Sequence, residues 1–381
     1  GSKGLTYRVK SQRPEVVSIV KDVLTKSKAL LQWEELPAGL GLGLSWNLLW
    51  TWNKPRLNPA HLLVWQRVNH FVDSKQLTRK DILKKNLHRF TSMPGKASDA
   101  FRIMPETYIL PQEYTHFVRS FTEKEAAMFC QDPAAREEAG ADDKPYSSTN
   151  SSLNLWIMKP VGMSRGRGIS LVSDISCLTY SQATVVQRYI PDPMLLDGYK
   201  FDLRLYVLVT SFHPLEAFVY GDGFARVSTQ RYTLDPNEIQ NKFVHLTNSS
   251  IQRLNSAGPT QDNPLMGGDQ DSGGSKIALK GDSGLWARME KMGFDTDAIW
   301  KQICLLLVKS LVVVDDRMTY QPNAFEVFGY DVLIDSKCRP WLIEANASPS
   351  MSRDSALDYR IKDAMIKDTI QLVNPLPFDR A

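Results

Sequence analysis

Residues 155–171 read LWIMKPVGMSRGRGISL: Lys159 interrupts a run of large apolar residues, and a loop with three glycines and two arginines follows. A phosphate-bearing ligand calls for this pattern, because a lysine supplies a point charge and glycines let backbone amides approach closely. An exposed hairpin would also produce it. In KFDLRLYVLV, Lys200, Asp202 and Arg204 alternate with Phe201, Leu203 and Leu205. Period two sets the three charged groups on one strand face, although an edge strand facing solvent reads the same way. FGYDVLID places Asp331 in an apolar run, and WLIEANASPS puts Glu344 and Asn346 two residues apart on one face. A carboxylate there is costly unless it is paired or binds metal. Two carboxylates and an amide oxygen suit Mg²⁺, which takes oxygen ligands and bridges phosphates. An ion-paired core carboxylate explains either acid alone; with the basic glycine loop upstream, the metal is the better reading.

The sequence pattern argues against other nucleotide and metal sites. No GxxxxGK[ST] occurs, and GGSK at 273–276 has no strand before it. No GxGxxG opens a helix after a strand. The six histidines show no ligand spacing, and the four cysteines (Cys130, Cys177, Cys304, Cys338) form no CxxC pair. Scattered cysteines argue for a reducing compartment and against structural zinc.

The elements that must position these groups divide into three regions. The first, to about residue 75, is tryptophan-rich, and ELPAGLGLGLSWNLLWTW reads as a short strand unit entered through a glycine-rich turn. In LTRKDILKKNLHRF, Thr78 is expected to cap a helix carrying Leu77, Ile82, Leu83 and Leu87 at helical spacing. Phe101 to Leu110 reads as a strand and Gln112 to Phe129 as a helix. Residues 132–152 and 255–284 are polar or glycine-rich and are expected to be loose, the second as a flexible surface loop. Between them lie LNLWIMKP, GISLVS, ATVVQRYI, KFDLRLYVLVTSF and LEAFVYGDGFARVS, all strand-like. A helix around Thr296–Val313, two strands and a helix near Ser355–Leu372 complete a mixed α+β pattern.

Bulk properties add little. A net charge of +4 from 46 basic and 42 acidic residues neither predicts nor excludes an acidic partner. Arg79-Lys80 and Lys84-Lys85 form either a positive face or an ordinary solvated helix surface. No apolar run reaches about 18 residues, so no membrane span is expected. Gly1-Ser2 reads as an expression remnant with no signal peptide after it, so a longer parent chain is expected.

The order KP…SRGRGI, VVQRYI, KFDLRLYVLVTSF, GFARVS, HLTNSSIQ, FGYDVLID, PWLIEANASPS closely resembles the tubulin tyrosine ligase-like family, within the ATP-grasp superfamily of carboxylate–amine ligases. The resemblance runs from about residue 75 to 372. It implies an α+β, ATP-grasp fold in which two α/β subdomains, 76–189 and 190–376, grip ATP behind a small N-terminal α/β domain at 3–75. It implies that Lys159 and the loop Ser164, Arg165, Gly166, Arg167, Gly168 and Ile169 hold the phosphates. Gln187, Arg188, Tyr189 and Ile190 would form the adenine hinge, with Lys200 at adenine and Asp202 at ribose. Thr247 and Asn248 would touch nucleotide and acceptor, while His245 only shapes that turn. Asp331, Glu344 and Asn346 match the magnesium ligands, and Arg204 and Arg226 are the expected catalytic cations. The implied cofactors are ATP and Mg²⁺.

Within the family, EANASPS is shared by the glutamate- and glycine-adding branches, and SALDYRIKDAMIKD resembles the glutamylases. Lys362 is then a candidate for an acidic amino acid's side chain, with Arg204 and Asn248 beside it, or else an exposed helix lysine. Ser249 and Ser250 depart from the glutamylase form. The expected activity is glutamate addition to tubulin C-terminal tails, from free L-glutamate; glycine addition and a silent microtubule-binding module are the alternatives. A monomer in the cytoplasm or cytoskeleton, with a cilium or basal body as one setting, is expected. Nucleic acid is not, since the arginines cluster with carboxylates that repel a phosphate backbone.

Overall fold

The segment YKFDLRLYVLVTSF is free of glycine and proline and rich in β-formers, and it makes the longest strand among the described residues, Tyr199–Phe212. In the computed structural model, residues 4–26, 32–37, 39, 45–130, 154–162, 166–178, 183–256, 263 and 276–377 are described. The architecture is mixed α/β, built on three sheets.

The N-terminal sheet is parallel, in the order β2-β1-β3-β4, from β1 (Leu5–Lys10), β2 (Trp33–Glu35), β3 (Leu48–Thr51) and β4 (Arg67–Val68). Helix α1 (Pro14–Lys26) buries Val16, Ile19, Val20, Val23 and Leu24, the stripe that a 3.6-residue period requires. Helices α2 (Lys75–Thr78), α3 (Lys80–Thr91) and α4 (Lys96–Ala100) follow.

A second, antiparallel sheet has the order β5-β8-β6-β7, from β5 (Thr107–Leu110), β6 (Trp156–Pro160), β7 (Ser170–Val172) and β8 (Thr184–Arg188). Helix α5 (Tyr114–Cys130) covers it, packing Phe117 and Phe121 near Trp156.

The largest sheet runs β13-β12-β10-β14-β15, with β9 and β11 also on β10. Its strands are β9 (Leu195–Leu196), β10 (Tyr199–Phe212), β11 (Leu215–Val219), β12 (Phe224–Val227), β13 (Lys276–Ala278), β14 (Glu326–Ile334) and β15 (Pro340–Asn346). Short helices α6 (Lys242–His245) and α7 (Ser249–Gln252) and the longer α8 (Leu285–Lys291) and α9 (Thr296–Asp315) precede β14. Leu203, Leu205, Val207 and Val209 of β10 share a core with Ile299, Ile303 and Leu307 of α9. On the other face Tyr206 and Leu208 pack with α1 and with α10 (Ala356–Val373). Strand β10 is therefore central and covered on both faces, so the solvent-facing edge-strand reading of its alternation fails. Among the described residues no helix is long and apolar enough to cross a membrane.

Several local expectations change. Thr78 does not cap α3: it ends α2, and its hydroxyl donates to Ser74 O at 2.9 Å. Arg79, extended and paired with Asp81 at 2.9 Å, occupies the cap position instead. The strand expected over 101–110 shortens to Thr107–Leu110: residues 101–106 lead out of α4 without regular structure, and Pro105 cannot donate to a ladder. Of the loop expected over 255–284, residues 257–262 and 264–275 lie outside the described residues; Lys276–Ala278 form β13, which pairs with β12, and Leu279 is fully buried beyond it. Residues 132–152 lie outside the described residues.

Candidate active site

Strand register assembles the site on one face of the large sheet. Asp202 on β10 sits opposite Arg226 on β12, which sits opposite Lys276 on β13. One row further, Arg204 faces Asp331 on β14, and Asp331 faces Glu344 on β15. Period-two alternation turns all of these side chains the same way. The small sheet stands across from this row, and the cleft between them is lined by Lys159, Gly166, Arg167, Ile169 and Gln187 through Ile190. Lys200, Asp202, Arg226, Thr247, Asn248, Asp331 and Glu344 line it too.

Not every expected residue reaches the lining. Arg204 stands just behind it, its guanidinium bidentate on Asp331 at 2.6 and 3.1 Å. Asn346 backs Glu344, donating its amide at 3.1 Å. Gly168 lies in the same loop with positive φ, as does Gly166. Gly166 has a second constraint, since a Cβ there would meet Ile251 Cδ1 at 2.2 Å. Ser164 and Arg165 lie outside the described residues. Lys362 is away from the cleft lining, on α10, and is only 3% exposed. It bonds Asp358 at 2.6 Å and the Ser352 carbonyl, so the exposed-helix alternative for it fails.

The charges are tightly interlocked. Arg226 holds both Asp202 (Nε at 2.7 Å) and Asp331 (2.8 Å). Lys159 donates to Gln187 Oε1 at 2.7 Å, and Gln187 donates to Thr107 at 3.0 Å. Burial brings the Lys159 ammonium down to about 8, against the pull of Glu344. Burial lowers Lys200 to about 7, with Asp202 opposing and Lys159 reinforcing. Burial pushes the Glu344 carboxyl up, but Lys80, Asn346 and Lys159 together hold it well below the usual carboxylate range. Both arginines stay charged, because the flanking aspartates outweigh their burial.

Two cations here escape sequence reasoning. Lys80, at the start of α3, lines the cleft and pairs with Glu344 at 3.0 Å. Along the chain it shows only as part of a basic helix run. Lys276 extends the Arg226 row and bonds both oxygens of Asp358 at 2.9 and 3.0 Å. Its only sequence signal is the GGSK string, which lacks a preceding strand; the strand begins at the lysine itself.

The donor set fits a hard cation. Asp331 and Glu344 are cross-strand neighbours and Asn346 is on the same face, all offering oxygen. Both carboxylates are already satisfied by guanidinium or ammonium, which shows how strongly this spot calls for positive charge. Among the described residues no group of three or more His, Cys, Asp or Glu could hold a metal. Two acids and an amide would instead leave coordination positions for waters and phosphate oxygens, as Mg²⁺ prefers.

The cleft thus lies between two antiparallel sheets, with lysines on its walls and carboxylates on its floor. The Tubulin-tyrosine ligase family model matches residues 57–381, and the chain belongs to that family. It is 36% identical over 338 residues to the human protein named Tubulin polyglutamylase TTLL5, covering 86% of this chain and 23% of that one. It is 30% identical over 372 residues to human Probable tubulin polyglutamylase TTLL2, covering 97% of this chain and 56% of that one. It is also similar to Probable alpha-tubulin polyglutamylase Ttll1 of Tetrahymena thermophila, at 32% over 366 residues, 87% of this chain and 78% of that one. The chain thus spans about a quarter to a half of the length of the two human relatives.

Proposed function

We propose that this chain is an ATP- and Mg²⁺-dependent ligase of ATP-grasp type that adds L-glutamate to glutamate side chains in tubulin C-terminal tails. Residues 76–189 and 190–376 act as the two gripping subdomains, with 3–75 as the N-terminal domain. The observation that carries the proposal is the cross-strand row Arg226–Asp202 and Asp331–Glu344, backed by Arg204, facing Lys159 across one cleft. The polyglutamylase names of the relatives support glutamate as the amino acid and tubulin as the acceptor.

The chemistry follows from the acceptor. A carboxylate is a poor electrophile, so one of its oxygens first attacks the γ-phosphorus of ATP, forming an acyl phosphate and releasing ADP. The α-amine of glutamate then attacks the acyl carbon; the C–O bond to phosphate breaks, phosphate leaves with the electron pair, and the amine sheds a proton. Lys159 and the loop about Gly166 bind the phosphates. Mg²⁺ on Asp331, Glu344 and Asn346 would neutralise phosphate charge during transfer. Arg226, at the lining, and Arg204, just behind it, are fixed by Asp202 and Asp331, so positive charge is already in place beside the oxyanions of both steps. Lys362 and Lys276, sharing Asp358, carry one positive charge in excess beside Phe224, which suits a second carboxylate on the incoming amino acid.

The test is incorporation of labelled glutamate, glycine and tyrosine into tubulin with Mg-ATP. Glutamate-only labelling is expected. Glycine-only labelling would overturn the amino-acid assignment, and no labelling of tubulin by any of the three would overturn the ligase assignment.

A further inference from the structure

Three buried side chains, Tyr189, Lys200 and His245, meet where the segment after β8 passes the end of α6. His245 is 2% exposed and neutral, because burial and the nearby Lys200 bring its imidazole down to about 4. Its Nε2 lies 3.2 Å from the backbone carbonyl of Glu238, which can only accept. Nε2 must therefore carry the ring proton, leaving Nδ1 as an acceptor. Nδ1 is 2.9 Å from the Tyr189 hydroxyl, so Tyr189 must donate to it. The Tyr189 oxygen, its one proton committed, then accepts from Lys200 Nζ at 2.7 Å. Lys200 gives a second N–H to the His245 carbonyl at 3.0 Å. Each proton in the chain is assigned by the one before it.

The consequence falls on Lys200. It lines the cleft with Tyr189 and His245, and its ammonium stands 4.2 Å from the Tyr189 ring centroid. Two of its three N–H bonds are spent on the hinge tyrosine and on the turn at His245, so a single N–H direction remains for a ligand. If Nδ1 could not accept, the Tyr189 hydroxyl would be free to turn its own proton toward Lys200, and the ammonium would lose that anchor. The ring of His245 also stands edge-on to both Tyr189 and Tyr232, at 5.6 and 5.8 Å, which holds the three rings as a unit.

We infer that His245 is a positioning residue of the nucleotide site: its fixed tautomer orients Tyr189 and Lys200 toward the bound base. The inference rests on the ATP-dependent reading above. Its role is separate from the carboxylate chemistry, because none of its bonds reaches Arg204, Asp331 or Glu344.

The experiment measures Mg-ATP dissociation constants for the wild-type chain, His245→Phe and His245→Gln, with melting temperatures and the KM for each substrate. Phenylalanine keeps a flat ring but cannot accept from Tyr189, so its dissociation constant is expected to rise about tenfold. The KM for glutamate and the melting temperature should stay near wild type. Glutamine keeps an acceptor and a donor and should recover affinity to within about threefold. Normal ATP affinity in His245→Phe would overturn the inference, as would equal losses in both variants with lowered melting temperatures, the mark of a merely structural residue. A wild-type chain that does not bind Mg-ATP would overturn the ligase reading and this inference together, whereas normal wild-type binding with an unaffected His245→Phe removes this inference alone.

Discussion

Asp331 and Glu344 face each other across β14 and β15, and each is held by a cation from a different part of the chain: Asp331 by Arg204 and Arg226 at 2.6 and 2.8 Å, Glu344 by Lys80 at 3.0 Å. Neither acid stands in the sheet without a cation beside it. Glu344→Gln keeps the shape and removes one charge at the proposed metal seat. Ligation should fall at least about a hundredfold, the scale of losing metal-based charge stabilisation. Circular dichroism should show an intact fold. Normal turnover in this variant would remove the magnesium assignment.

Lys159 is buried in β6 with its ammonium on Gln187. Lys159→Ala should raise the Mg-ATP dissociation constant about tenfold or more, the value of a charge-assisted hydrogen bond. Isothermal titration calorimetry reads this directly. Unchanged affinity would return LWIMKP to an ordinary strand.

The same buried lysines set a pH dependence. In the free chain Lys200 titrates near 7 and Lys159 near 8, both brought down by burial. A bound nucleotide favours their charged forms and so raises both values. At about pH 6 and below both are protonated with or without ligand, and affinity should be flat. As pH rises through 7 to 9 binding must take up protons, and affinity should fall by up to about tenfold per unit for each proton. Titrations from pH 6 to 9 that show constant or rising affinity would contradict this assignment.

Amino-acid choice should depend on the lysine pair at Asp358. Lys362→Ala leaves Lys276 on Asp358 and removes the excess positive charge, so activity with glutamate should drop about tenfold more than activity with glycine. Equal losses with both amino acids would make Lys362 structural.

Far from the cleft, His70 and Glu326 form a buried pair at 2.8 Å, with Phe71 N–H on the second Glu326 oxygen at 3.0 Å. They tie the segment after β4 to the first residue of β14. His70→Ala strands a buried carboxylate and should cost about 3–5 kcal/mol in denaturant unfolding. Replacing both residues with leucine should cost less than that single change. A loss under about 1 kcal/mol for His70→Ala would mean that water reaches Glu326 freely.

What could be read along the chain was whatever shows as a local anomaly. Asp331 in FGYDVLID and Lys159 in LWIMKP stand out because a charge in an apolar strand breaks a period that two or three neighbours define. The same alternation set Lys200, Asp202 and Arg204 on one face before any partner strand was known. Propensity also located the long β10 and α9 to within a few residues. Thr78 shows where local rules stop: its hydroxyl donates to Ser74 O within the short α2 instead of capping α3. The partners themselves were beyond the sequence. Nothing around Lys80 points to Glu344, nothing around His245 to Tyr189, and nothing around Lys276 to Arg226 or Asp358. Those pairs depend on which strand lies beside which and where a helix begins over a sheet edge. Such contacts form only once distant segments pack, so residue order determined the kinds of charge available while tertiary structure decided which of them meet.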